Sequence, residues 1–359
     1  MKENQNASPS RHKPELTLLS VVFCLLVIFI HVSSDPINNL NRPSWQLAAV
    51  YTPWKLASFV VYGFLFLGGV KLMLHPPEGN WKSILRYYKK RLFAVVIPYL
   101  VWVVVYYLWF YCIGYYEFSV KDLLLYMLRG NLSAHFYYIV VTVQFYLLVP
   151  VWARLKRESA PFVLPFALLL TQLFNSYLPD ILSRLHVPFE IMNDRVFTSY
   201  LFYWVAGCYA GLYYDEFCAY LKKKRVTVAV VYVLAAFPEV YCAYQGYAHG
   251  NWFGMVGYVH TIYICAAILF FFMLSLYAKD LSFVSSGWFA VFGKASFAVY
   301  LSHLLIMNVW NRAASYLFPG ATTARLYLFR FLVTYAVSLT IGFVYAYTKQ
   351  TLSAKLRKS

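Results

Sequence analysis

The sequence predicts an all-α integral membrane protein: a polytopic helical bundle with about ten transmembrane helices and both termini cytoplasmic. Three observations predict it. Of 359 residues, 61% are hydrophobic and 13% are charged, whereas an ordinary globular domain carries about 25% charged residues. So few charges cannot cover a soluble surface, and the same composition excludes disorder. The apolar runs are about 20 residues long and do not alternate in polarity, which suits helices rather than barrel strands of about ten residues. Finally, the formal net charge of +17 is distributed unevenly between the loops on the two sides.

The runs fall near 16–32, 54–74, 92–114, 137–153, 160–178, 197–214, 226–244, 257–278, 289–309 and 326–347. Residues 1–15 read as a cytoplasmic tail, 16–348 as a single transmembrane domain and 349–359 as a basic cytoplasmic tail. The first run follows a basic stretch, but it is longer than a signal h-region and no small-x-small site closely follows it, so it reads as the first span. With the N-terminus inside, the inner segments hold Lys2, Arg11, Lys13, Lys71, Lys82, Arg86, Lys89, Lys90, Arg91, Arg154, Lys156, Arg157, Lys222, Lys223, Lys224, Arg225, Lys279, Lys294, Lys349, Lys355, Arg357 and Lys358. That is 22 of 31 basic residues, leaving nine outside. Basic residues in short loops face the cytoplasm, so the charge is mostly topology and not a nucleic-acid footprint. The expected location is the cytoplasmic membrane of the cell. The six cysteines (Cys24, Cys112, Cys208, Cys218, Cys242 and Cys265) lie mostly in apolar runs without CxxC spacing. They read as small buried hydrophobes rather than a disulfide frame or metal site.

Ionisable groups at membrane depth are expensive, so each is a functional hypothesis. His31 closes span 1, His135 opens span 4 and His303 lies two-thirds along span 9. With alternating helix direction all three fall toward the outer side. Histidine carries protons near neutral pH; the ordinary alternative is a hydrogen-bonded histidine at the interface. His260 and Glu239 sit at similar depth, with Glu239 after a helix-breaking Pro238; for Glu239 a solvated position near the interface is expected. His12, His75, His186 and His249 lie in tails or loops and are given no role. The segment NWKSILRYYKKRLFAVVIPYL sets Lys82, Arg86, Lys89, Lys90 and Arg91 at helical spacing beside Trp81, Tyr87 and Tyr88. It predicts an amphipathic basic helix at the cytoplasmic face. Headgroup contact is its ordinary role; binding a phosphate-bearing cytosolic ligand is the functional one. No HExxH, P-loop or GxSxG appears, and no matched pair of Gly/Pro-broken spans marks a transporter.

Four stretches resemble the membrane acyltransferase-3 family, bacterial ten-helix O-acyltransferases that modify cell-surface polysaccharides and related envelope molecules. They are the span-1 His31; YGFLFLGGVKLM with YYKKRLFAVVIPYLVW, placing Gly69, Arg91 and Pro98; AHFYYIVVTVQFYLLVP, placing His135 and Gln144; and GKASFAVYLSH, placing Ser296, Tyr300 and His303. Their order and the helices on which they fall carry the resemblance. The aromatic spacing of FTSYLFYWVAGCYAGLYYDEF is similar, more loosely, to the branch acting on staphylococcal-type biofilm poly-N-acetylglucosamine. Three positions depart from the family pattern. Ser20 stands where the family has an arginine eleven residues before the histidine, Ala94 where a second arginine often follows Arg91, and Gly68 where a serine usually precedes the glycine. Either another cation substitutes, or the donor or acceptor differs, or activity is lost.

The resemblance implies an acetyl or succinyl group moved from acyl-CoA, a co-substrate, to a hydroxyl of an envelope or exported polysaccharide. No permanently bound cofactor and no metal is implied. His31 is then the expected base, with His303 and His135 orienting the acceptor or polarising the carbonyl. Arg91, with Arg86 and Lys90, would hold the phosphates of the donor; Gln144, Tyr300 and Ser296 would support the cavity. The expected partners are the donor, the glycan acceptor, the lipid bilayer, and a glycan synthase or export machinery, with no nucleic acid. A geometric difficulty arises, because the histidines sit toward one face and Arg91 at the other of a core about 30 Å thick. Either the donor reaches deep into a cavity or an acyl group is relayed. The alternative function is a transporter or flippase for a glycan or lipid-linked glycan, with the histidines coupling protons. A sensor domain is weaker, since no output module is visible. The 34 Tyr and 10 Trp suit stacking on sugars, although most belong to interfacial belts.

Overall fold

The computed structural model describes residues 13–185 and 193–356; His12, His186, Lys2, Arg11, Arg357 and Lys358 lie outside the described residues. The described residues are mostly helical and contain no strand. Helix α1 (Pro14–Asn38) opens on a proline, at the position where a missing N–H costs nothing. Helix α2 consists of Trp45–Leu56 and Val60–Leu74 joined by a 3-10 turn, Ala57–Phe59. Ser44 caps it, accepting from the Leu47 N–H. Helix α3 (Trp81–Cys112) is capped by Asn80 and contains a π turn over Leu92–Val96. Pro98 explains that turn: its ring collides with the carbonyl four residues back, at Ala94, and a wider turn relieves the collision. The basic segment is therefore not a separate helix lying along the face; it forms the opening turns of α3.

The remaining elements are α4 (Val120–Arg129), α5 (Tyr137–Leu147), α6 (Ala160–Arg184), α7 (Leu201–Leu212), α8 (Tyr214–Lys223), α9 (Arg225–His249), α10 (Val256–Ala278), α11 (Gly287–Leu317) and α12 (Tyr327–Leu356). Eight segments, in α1, α2, α3, α6, α9, α10, α11 and α12, are long and apolar enough to cross a membrane. The expected fourth and sixth spans are shorter. The fourth is α5 followed by a single turn, Val149–Trp152; the sixth is a 3-10 turn, Phe197–Tyr200, leading into α7. Both carry deeply buried side chains, among them Val141, Phe145, Trp204 and Cys208. Backbone walled by protein rather than lipid need not form one unbroken helix. The outward faces of the long helices expose Leu, Phe and Val, including Phe166, Phe237, Leu328 and Leu332, as a protein solvated by hydrocarbon requires. Cys112 is exposed rather than buried, at the end of α3.

Cross-links fix the two ends of the bundle. At one end, Lys13 approaches Asp215, Lys279 approaches Glu15, and Arg157 pairs with Glu216 at 2.7 Å. This is the basic end. At the opposite end, Tyr247 hydrogen-bonds Asn38 and Arg42, and Tyr244 bonds the Ser44 carbonyl. Between them, α2 and α7 cross closely enough that a Cβ on Gly207 would strike the Phe66 carbonyl, and one on Gly69 would meet the Trp204 carbonyl and the Cys208 N–H. Small residues allow such backbone approach in lipid, where packing rather than hydrophobicity holds helices together. Gly69 is thus a packing residue. The crossing seats Trp204, which stacks on Phe145 of α5 at 4.5 Å, and so ties α2, α5 and α7 into one wall of the site.

Candidate active site

Three histidines from different parts of the chain meet inside the bundle. His31 comes from α1, His135 from the turn before α5 and His303 from the middle of α11. Their ring centroids are separated by 5.3 Å (His31–His303), 5.0 Å (His135–His303) and 6.5 Å (His31–His135). His135 and His303 are fully buried, and His31 is half-buried. The His303 Nδ1 lies 2.6 Å from the Tyr300 carbonyl. A carbonyl only accepts, so Nδ1 carries the proton and the lone pair of the neutral ring is on Nε2. That Nε2 is enclosed and has no protein partner, and the same holds for His135 Nε2 and for Ser58 Oγ nearby. Each such atom costs about 1–3 kcal/mol unless something external satisfies it. A base with a free lone pair, enclosed beside other unspent polar atoms, is the arrangement that proton transfer to and from a substrate needs.

The local structure around His303 is held by Tyr106 of α3. Its hydroxyl donates to the Leu301 carbonyl at 3.0 Å and accepts from the Leu305 N–H at 2.7 Å. It stands between a carbonyl and the N–H four residues on, which would otherwise pair directly in the helix. The Tyr300 hydroxyl donates to the His135 carbonyl, tying α11 to the turn that carries His135. Below His31 on the opposite side, the buried Arg330 of α12 binds Asp35 at 2.5 Å and Asn311 at 3.2 Å, and it points toward the His31 carbonyl at 3.5 Å.

Two chambers meet at this site. The first, about 190 Å³, is lined by His31 and His135 with Trp54, Ser58, Tyr137, Phe64, Tyr138 and Tyr300. The second, about 200 Å³, opens toward the basic end and is lined by Ser20, Lys71, Arg91, Tyr146 and Ser296, again with Phe64, Tyr138 and Tyr300. The three shared side chains form a thin partition. Arg91 and the histidines are thus neighbours through one layer of aromatic rings, which removes the geometric difficulty posed by the thickness of the membrane. The Arg91 guanidinium sits 5.0 Å from the Tyr87 ring and 4.9 Å from the Tyr146 ring; cation–π contact aims it into the chamber.

A comparison of the whole chain with known proteins decides its kinship. The family model described as an acyltransferase domain, the acyltransferase-3 type, matches residues 14–347. The chain belongs to this acyltransferase-3 family. The match runs from the first turn of α1 into α12 and includes both chambers. The protein is accordingly a membrane-embedded acyltransferase. Relatives include proteins from Staphylococcus aureus strains MSSA476 and MRSA252, each named "Probable poly-beta-1,6-N-acetyl-D-glucosamine export protein". Each is 21% identical over 311 residues, covering 82% of this chain and 82% of the relative. No solved structure matches the chain.

The expected site residues separate into two groups in this acyltransferase. His31, His135, Tyr300, Ser296 and Arg91 line the chambers, and the fully buried His303 packs directly against the His31 and His135 rings. Arg86 and Lys90 do not; both are exposed on the outer face of α3. Gln144 lines neither chamber. Its amide donates to the Arg195 carbonyl at 2.7 Å and accepts from the Phe197 N–H at 3.0 Å, clamping the entry to α7. Ser296 spends its hydroxyl on the Gly293 carbonyl. Glu239 departs from the expected solvated position. It is 1% exposed and binds Lys55 at 2.9 Å and His260 at 2.6 Å, because a carboxylate at this depth needs charged partners. The sequence reading missed Lys71, hidden among the inner cations, and Arg330, a lone charge in an otherwise apolar run. Intramembrane charge alone would have flagged both. Among the described residues no group of His, Cys, Asp and Glu is set to hold a metal ion.

Proposed function

We propose that this acyltransferase moves an acetyl or succinyl group from acyl-CoA, arriving at the cytoplasmic face of the cell membrane, to a hydroxyl of an exported or envelope polysaccharide. One observation carries the reading: a cation-lined chamber and a histidine-lined chamber share a partition of three aromatic side chains. Arg91 holds a phosphate of the donor, and the thioester passes the partition toward the histidines. His303 Nε2 accepts the proton of the acceptor hydroxyl as its oxygen attacks the thioester carbonyl. The coenzyme A thiolate leaves and takes a proton. His31 lines the open side of the chamber and positions the acceptor or relays the proton. Binding brings the two reactants into contact, which removes much of the entropic barrier to a bimolecular step. Acyl-CoA acts as a co-substrate and no cofactor stays bound.

A second reading has its own support, since the staphylococcal relatives are named as export proteins. On that reading the chambers are a path for a glycan and the histidines couple protons to movement. Replacing His31 by alanine separates the two. Acyl transfer predicts that cells still make and export the glycan, which then lacks its acyl groups on hydroxyl-specific analysis. Loss of export with acylation of added glycan intact would favour transport and count against acyl transfer.

A further inference from the structure

The chamber at the basic end contains a second cation besides Arg91. Lys71, on the bundle-facing side of α2, is flanked by the buried Val70 and Leu72 yet is itself accessible. Lys71 lines the same 200 Å³ chamber as Arg91. Its Nζ donates to Ser20 Oγ at 2.7 Å. The Ser20 hydroxyl proton is already given to the Leu16 carbonyl at 2.8 Å, so Ser20 only accepts, and one ammonium proton is spent on it. The other two are available. Neither Lys71 nor Arg91 is in an ion pair among the described residues, and no carboxylate lines their chamber. Arg91 Nε is enclosed and without a hydrogen-bond partner.

Two cations facing one cavity with no carboxylate between them repel one another, and an anion between them relieves that repulsion. The chamber is smaller than the pockets of about 300–1,000 Å³ that take whole small ligands, so it takes part of one. A guanidinium held by two tyrosine rings suits the planar, multi-oxygen face of a phosphoryl group, and a lysine suits it as a point charge. We infer that Lys71 and Arg91 together form a phosphoryl-binding site, with Lys71 supplying from α2 a cation beside Ser20 of α1, and that the phosphoryl group is the diphosphate of the acyl donor. This rests on the proposed donor, but the anion site can be tested without it.

The test uses the full-length protein in phosphatidylcholine nanodiscs and measures binding of inorganic pyrophosphate, coenzyme A and pantetheine, which lacks phosphates. Lys71→Ala is expected to weaken pyrophosphate and coenzyme A about tenfold or more and to leave pantetheine unchanged. Lys71→Arg should bind like the wild type. Adding Ser20→Arg to Lys71→Ala should restore binding, because the new guanidinium enters the same chamber from α1. Pyrophosphate binding that ignores Lys71, or that is absent from the wild type, overturns the site. Equal loss of pantetheine and coenzyme A overturns it too, since Lys71 would then only shape the chamber. If pyrophosphate binding depends on Lys71 but coenzyme A does not compete with it, the anion site stands and the donor reading falls. If phosphatidylglycerol in the disc displaces pyrophosphate while coenzyme A does not, the cations hold a lipid headgroup and the assignment to the donor is wrong.

Discussion

Replacing His303 by alanine is expected to slow acyl transfer by about a thousandfold while leaving donor binding unchanged. General-base catalysis contributes about 10²–10⁴ in rate, and His303 has the geometry of the base. Its Nδ1 proton is committed to the Tyr300 carbonyl at 2.6 Å, which leaves Nε2 as a lone pair enclosed in the protein. His135 Nε2 is likewise without a partner and His31 lines the chamber, so a residual rate through these histidines is expected. The measurement is the single-turnover rate of transfer together with coenzyme A affinity and melting temperature. A loss of rate with affinity and melting intact supports the assignment. A variant that melts normally and transfers at the wild-type rate would remove His303 from the chemistry.

The largest effect on stability is expected at Glu239, which lines neither chamber. Its carboxylate is 1% exposed and is shared between Lys55 of α2 and His260 of α10. Glu239→Ala leaves Lys55, whose side chain is 16% exposed, without its counter-charge inside the bundle. Breaking a buried pair from one side costs about 3–5 kcal/mol. Glu239→Gln should cost less, because an amide oxygen still accepts from both partners. Thermal unfolding in detergent, followed by intrinsic fluorescence, reads the difference. Equal melting of Glu239→Ala and wild type would show that the triad holds nothing together.

The fold, and the meeting of the three histidines in the candidate site, were legible in the sequence because both rest on signals that survive in one dimension. Apolar runs and the sidedness of Lys and Arg gave the helices, and histidines at one membrane depth gave His31, His135 and His303 before any contact was known. The fourth and sixth spans shortened because burial by protein lifts the demand for an unbroken helix, and an apolar run does not reveal whether lipid or protein surrounds it. Gln144 sat in a family motif but works as a clamp. Its partners lie at Arg195 and Phe197, and nothing in the sequence links them. Lys71 was absorbed into the count of inner charges, where a lining cation and a topological one look the same. Arg330 and Asp35 are separated by 295 positions, so the pair exists only in three dimensions. For Glu239 the depth was readable in one dimension, but the lysine on another helix that makes burial tolerable was not.

The central claim is that a donor engaged at the basic end delivers its acyl group through the aromatic partition to an acceptor at the histidines. Proteoliposomes carrying the purified protein, supplied with acyl-labelled acetyl- or succinyl-CoA and with poly-N-acetylglucosamine or other envelope glycans, test it directly. The account predicts label on glycan hydroxyls in stoichiometry with released coenzyme A, lost in His303→Ala and reduced in Lys71→Ala. Absence of both transfer and thioester hydrolysis with either donor, from protein that is folded and binds coenzyme A, would contradict it.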